Sequence, residues 1–260
     1  MQADRTNPQD AGNASESVTE PGPKALIEPL VYEGKTTLLR YGPGTENIIG
    51  KLGVTFAMAT SPATAKTMWG TFRVKKGLHA LVVQWDSESA LWEILIKSSP
   101  YHCMQQFELP TRICCTPDPL DYIDLLYIIE KNRHSITGPV IINSIQNLPY
   151  FSHFRLDQIE DSKRMTEHLA IWAEHRQLGV MIVLPDHVNL HPTFLQSFHR
   201  IIELRTGNME NQVIVVVTDS RGYPITLEIL RFDRSGSQLF ARRPRTHKKS
   251  GRVLEPCPGF

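Results

Sequence analysis

The sequence predicts an α/β protein with a mainly parallel central sheet and antiparallel strands toward its C-terminus. Three observations carry this expectation. The runs VIINSI, VMIVL and VIVVV are apolar without alternation, as strands covered on both faces are. Segments with helical spacing separate the first strand-like runs. The last runs are close-spaced and partly alternating, which reads as antiparallel hairpins.

In chain order, GVTFAMAT (53–60) reads as a strand, AKTMWGTFRVKK (65–76) as a short helix and LHALVVQWD (78–86) as a strand. A helix is expected over 88–97 and a strand over RICCT (112–116). DPLDYIDLLYIIEKNRH (118–134) shows helical spacing through the apolar residues Leu120, Ile123, Leu126, Tyr127 and Ile129. Asp118 and Pro119 suit the N-cap and first helical positions. PVIINSI (139–145) is a strand. DSKRMTEHLAIWAEHRQLG (161–179) is a helix, with Met165, Leu169, Trp172 and Leu178 on one side and Gly179 at its end. Strands at 180–185, 201–206, 213–219, 225–233 and 237–242 complete the set.

The 260 residues suffice for one large core, and 41% hydrophobic with 21% charged residues is an ordinary globular composition. No window approaches the roughly 18 apolar residues of a membrane helix, so no membrane partner is expected. Cys103, Cys114, Cys115 and Cys257 form no C-x-x-C pair, so no structural metal is expected and a reducing, cytoplasmic location is. His187 and His191 lie in a stretch bounded by Pro185 and Pro192, which argues for a loop rather than a metal-binding helix face.

Residues 1–24 have the composition of a disordered segment, residues 25–240 form the α/β body, and residues 241–260 read as a flexible basic tail. That tail holds Arg242, Arg243, Arg245, Lys248, Lys249 and Arg252 against one acid, while the rest of the chain has 22 basic and 26 acidic residues. Such a tail suits a nucleic-acid phosphate backbone, or solubility alone.

The candidate chemistry lies at TSPATAKT (60–67). A phosphate loop needs backbone N–H groups, a Lys for the phosphates and a hydroxyl for Mg²⁺, all at a helix N-terminus. Thr60, Ser61, Pro62, Ala63, Thr64 and Ala65 would form the loop, with Lys66 and Thr67 supplying the side chains. The glycines of G-x-x-x-x-G-K-[ST] are replaced by Thr60 and Ala65. A rival, GKTT (34–37), has Pro29 at the first glycine. Its continuation LLRYGPG is interrupted by Gly42, Pro43 and Gly44, so no crossover helix is expected there.

The order of GTENIIGKLGVTFAMATSPATAKT, LHALVVQWDSES, GPVIINSIQNL, SKRMTEHLAIWAEHRQLGVMIVLPDHVN and VIVVVTDSRGYPITLEILRFD resembles the RecA-like ATPase core, over roughly residues 44–242. The nearest branch is that of DnaB-type replicative helicases and KaiC-like proteins. The resemblance implies a RecA-like three-layer fold, ATP and magnesium as cofactors, a role on DNA in replication or recombination, and assembly with itself or related subunits.

By the resemblance, Lys66 meets the phosphates and Thr67 the magnesium. Glu88 orients the attacking water, Asp186 stands near a γ-phosphate sensor, and Arg221 acts as a finger toward a neighbouring subunit. Asn143 occupies the place of the magnesium-side aspartate. Asp219 or Thr218 stands where a basic sensor is usual. With two glycines and one carboxylate replaced, weak or lost ATPase activity is expected. The alternative is an inactive scaffold or interaction subunit. Each residue also has a plainer role: Lys66 and Glu88 as first-turn helix residues, Arg221 in a turn, Asn143 satisfying backbone groups at a strand end.

Overall fold

A computed structural model describes residues 22–45, 67–68, 71–75, 78, 80–84, 111–115, 127–131, 133–143, 145, 152–209 and 212–231. The strands are β1 (Ala25–Glu28), β2 (Val31–Tyr32), β3 (Thr36–Tyr41), β4 (Thr67–Met68), β5 (Phe72–Val74), β6 (Ala80–Gln84), β7 (Thr111–Cys115), β8 (Val140–Asn143), β9 (Val180–Pro185), β10 (Arg200–Thr206), β11 (Gln212–Asp219) and β12 (Pro224–Arg231). Helix α1 spans Ile159–Arg176 and α2 spans Pro192–Gln196. Residues 127–131 are also helical.

The large sheet has the order β12-β11-β10-β3-β9-β8-β6-β7. Its pairs from β10 to β7 are all parallel, while β11 and β12 join antiparallel. A second, small sheet has the order β2-β1-β5-β4. The expected fold class, a mainly parallel sheet with antiparallel C-terminal strands, is therefore present.

Alternation of side chains across the large sheet builds two apolar layers. On one face Leu39, Ile141, Met181, Val183 and Ile202 meet Leu26, Ile27, Val31, Met68, Phe72 and Val74 of the small sheet. On the other, Leu38, Val140, Ile142, Ile182 and Leu184 meet Met165, Leu169, Trp172 and Ala173 of α1. Strands such as β9, buried at every position, read as continuous apolar runs for this reason.

Helix α1 opens with Glu160 and Asp161 and closes with His175 and Arg176, each favoured by the helix dipole at its own end. The left-handed residue ending it is Gln177, at φ 54°, rather than Gly179. Gly179 serves another purpose. A Cβ there would stand 2.8 Å from Leu26 Cδ1 and Val31 Cγ1 and 3.0 Å from the Tyr32 carbonyl oxygen, so its lack of a side chain lets the small sheet close on the start of β9.

The helix expected over 65–76 is replaced by β4 and β5, which pair antiparallel through Thr67 with Arg73 and Met68 with Phe72. Phe72 and Val74 are buried while Arg73 is exposed, a period of two that overrides the helical reading. The strand expected over 53–60, the helix over 88–97 and the strand over 237–242 lie outside the described residues, as do residues 1–21 and 232–260. Strands β1, β2 and β3 were not expected from the sequence.

Gly179→Ala should destabilise the chain by about 1–3 kcal/mol, because the clashes involve backbone as well as side chains. Denaturant unfolding of the two proteins measures it.

Candidate functional site at the end of the first parallel strand

Ligands of open α/β sheets bind beyond the C-terminal ends of the strands, where the strand order reverses direction. Here that point is β3. It is the first strand of the large sheet in sequence, and later strands add on both of its sides, β9 on one and β10 on the other.

The chain leaves β3 as Tyr41-Gly42-Pro43-Gly44-Thr45. The Gly42 N–H donates to the Leu204 carbonyl at 3.0 Å, and the Asp186 N–H donates to the Tyr41 carbonyl at 2.9 Å. The loop is thus clamped between the ends of β10 and β9. Both the N–H and the hydroxyl of Thr45 donate to the Gly42 carbonyl, at 3.2 and 2.6 Å. Pro43 and Gly44 (φ +81°) take the central positions of a type II turn, where the second residue needs a positive φ. A Cβ on Gly44 would also lie 2.8 Å from Thr206 Cγ2, and one on Gly42 2.9 Å from Asp186 Oδ2.

Three polar residues stand at or beside these strand ends. Asp186 follows β9, its carboxylate against Gly42. Arg40, from β3, donates a guanidinium N–H to the Asp186 carbonyl at 2.6 Å. Asn143 ends β8, is buried, and pairs in register with Val183 of β9. Asn143 and Asp186, placed at strand ends by the resemblance, do sit at C-terminal ends of neighbouring parallel strands.

Thr67 lies in β4, antiparallel to β5 in the small sheet, and so is not at a helix N-terminus behind a parallel strand. Thr60, Ser61, Pro62, Ala63, Thr64, Ala65, Lys66 and Glu88 lie outside the described residues, as do the six basic residues from Arg242 to Arg252. The rival GKTT enters β3 instead of leaving it: Lys35 precedes the strand and Thr36 begins it.

Arg221 occupies the β11–β12 turn. Because Arg200 pairs with Asp219, that turn lies at the N-terminal end of β10, about 20 Å of strand away from Thr206. Its N–H donates to Asp219 Oδ1 at 2.9 Å and its guanidinium lies 5.2 Å from the Tyr223 ring centroid. Within one chain it does not reach the loop after β3.

In the sequence Glu46-Asn47-Ile48-Ile49 follow Thr45, outside the described residues. Counting the phosphate-loop pattern from Tyr41 puts Asn47 at the Lys position and Ile48 at the hydroxyl. Counting from Gly42 puts Ile48 and Ile49 there. The signal in the sequence that marks this loop is the Gly-Pro-Gly-Thr turn itself.

No protein-family model and no curated protein matches the sequence. Among solved structures, the chain is similar to a KaiC-like protein from the hyperthermophilic archaeon Pyrococcus horikoshii OT3. The TM-score is 0.51 and the identity 14%, over 84% of this chain and 93% of that one. The chain has a RecA-like fold. At this identity the likeness concerns fold alone.

Among the described residues no helix is long and apolar enough to cross a membrane, and no group of three His, Cys, Asp or Glu side chains gathers as metal ligands. His191 plays a structural part, since its Nδ1 accepts the Thr193 N–H at 3.2 Å and caps α2.

Gly44→Ala should cost about 1–2 kcal/mol for the left-handed backbone alone. Thr45→Val, which removes the buried hydroxyl bond to Gly42, should cost about 1 kcal/mol. Both are read from chemical denaturation midpoints.

Proposed function

We propose that this chain is a catalytically inactive RecA-fold subunit that works by binding a partner protein or nucleic acid. The observation that carries this reading is the loop after β3. It stands where a RecA-like sheet would carry a phosphate loop, and the residues that follow it in the sequence bring none of the charges such a loop needs.

Phosphoryl transfer depends on electrostatic stabilisation, and one well-placed donor is worth about 10²–10³ in rate. Asn47 or Ile48 supplies no ammonium to the phosphates. Ile48 or Ile49 supplies no hydroxyl to magnesium, and Asn143 is neutral where a carboxylate would hold the metal's water shell. The Asp186 carboxylate, against Gly42, instead adds negative charge at the end of β3, and the next residue of the sequence after Thr45 is a further acid, Glu46. The residues present do not fit a magnesium–ATP centre.

A second reading, loose nucleotide binding without turnover, is favoured by Arg40, whose guanidinium reaches the Asp186 carbonyl beside this loop. On either reading the tail residues Arg242, Arg243, Arg245, Lys248, Lys249 and Arg252 are the proposed contact with nucleic-acid phosphates, in a cytoplasmic setting. Arg221 would act only across an interface with a second RecA-fold subunit.

Thermal melting with magnesium and ATP separates the readings, since a ligand at about a hundred times its Kd stabilises by about 2.7 kcal/mol. The wild-type chain should show no ATP turnover and little or no shift. Glu46→Gly, Asn47→Lys and Ile48→Thr together should create a shift. Wild-type turnover that is lost on Arg40→Gln would overturn the inactive assignment.

Deleting residues 241–260 should weaken binding to all nucleic-acid sequences about equally. On duplex DNA it should flatten the slope of log affinity against log salt by about 0.9 per lost phosphate contact. An unchanged slope would move the contact onto the body.

A further inference from the structure

We propose an anion site, for a phosphate group, at the opposite end of the sheet, where His199 and Arg200 meet the Tyr32 ring and Lys35 adds its charge to His199. These residues meet because the starts of β3 and β10 are neighbours. The His199 N–H donates to the Thr36 carbonyl at 3.0 Å, Arg200 pairs with Thr37, and Lys35 precedes Thr36. Tyr32, ending β2, takes the His199 ring edge-on at 4.8 Å between centroids and the Arg200 guanidinium at 5.0 Å.

Two donors of this cluster are unspent. Among the described residues, His199 Nε2 and Arg200 Nε are buried and have no hydrogen-bond partner. A buried polar atom left unpaired is costly and calls for a partner. That partner is an acceptor and an anion, because the flanking groups are cations and the neighbouring acids are engaged. Glu174 of α1 pairs with Lys35 at 3.6 Å, in an exposed and therefore weak contact. Glu33 pairs with Lys24 at 3.5 Å. Asp219 of β11, in register with Arg200, accepts the N–H groups of Arg221 and Tyr223 at 2.9 Å each.

Burial, with the Arg200 and Lys35 charges, holds His199 down to about 4, so it is neutral at pH 7. A tetrahedral oxyanion accepts from His199 Nε2 and Arg200 Nε together and offsets the repulsion between the two cations. Guanidinium, with several fixed donors, suits phosphate well. A free phosphate and a nucleic-acid phosphodiester present the same chemistry.

The test is an NMR titration of the full chain, labelled at histidine, with inorganic phosphate against chloride at equal ionic strength and pH 7. The His199 signal is assigned by its loss in His199→Gln. The expected result is a saturable shift of that signal, with its titration midpoint raised by about one unit or more as the anion offsets the neighbouring cations.

Arg200→Gln should weaken phosphate about tenfold or more. Lys35→Gln, exposed and safe for folding, should weaken it up to about fivefold. Arg40→Gln, at the far end of the sheet, should change nothing, which separates this site from the loop after β3. A single-stranded oligonucleotide that moves the same signal and competes with phosphate assigns the source to a nucleic-acid backbone. One that leaves it unmoved assigns it to free phosphate. No saturable shift, or one that Lys35→Gln and Arg200→Gln both leave unaltered, overturns the proposal.

Discussion

The insertion of β3 between β9 and β10 organises everything else in this molecule. A strand hydrogen-bonded on both edges and covered on both faces must end in a loop that its neighbours dictate. Here Leu204 of β10 accepts the Gly42 N–H while Tyr41 accepts the Asp186 N–H that follows β9. The same insertion brings His199 and Arg200 alongside Lys35 at the strand's other end. Leu39 and Leu38, pointing to opposite faces, join the two apolar layers through a single strand. Tertiary pairing, more than local propensity, holds such an element in place.

That is also why β3 is not legible in the sequence. Thr36, Thr37 and Arg40 interrupt any apolar run, and TTLLRY has no period of two. Its two threonines are nevertheless buried, with the Thr37 hydroxyl donating to the Leu30 carbonyl at 3.0 Å. Strands β8 and β9 are legible because they are buried on both faces, and α1 because its buried stripe recurs at helical spacing; β11 is as apolar in sequence but buries only alternate residues, so the expectation that VIVVV is covered on both faces does not hold. Without β3, Gly42, Pro43 and Gly44 read as a break rather than as the end of a central strand, and Thr60–Thr67 stands as the better phosphate-loop candidate. The pairs that reveal the true switch point join residues more than a hundred positions apart in sequence, such as Arg40 with Leu184 and with Glu203.

Element order nevertheless carries part of the site. The strand-ending residues Asn143 and Asp186 are legible from where they stand behind apolar runs, since a parallel strand presents its C-terminal end whatever its side chains are. Arg221 is legible only as a turn residue. Its place at the opposite end follows from the antiparallel return of β11, which register alone reveals. On the proposed reading, architecture and activity separate: a sheet can keep its switch point while the groups that would make it catalytic are replaced.

The most direct measurement is a crystal structure of the full chain grown with magnesium and a non-hydrolysable ATP analogue. The expected result is β3 between β9 and β10, the Gly42–Thr45 turn closed as described, and no magnesium held between that loop and Asn143. An ordered triphosphate with its metal on residues 42–48, or on residues 60–67 at the start of a helix that follows a parallel strand, would contradict the inactive assignment.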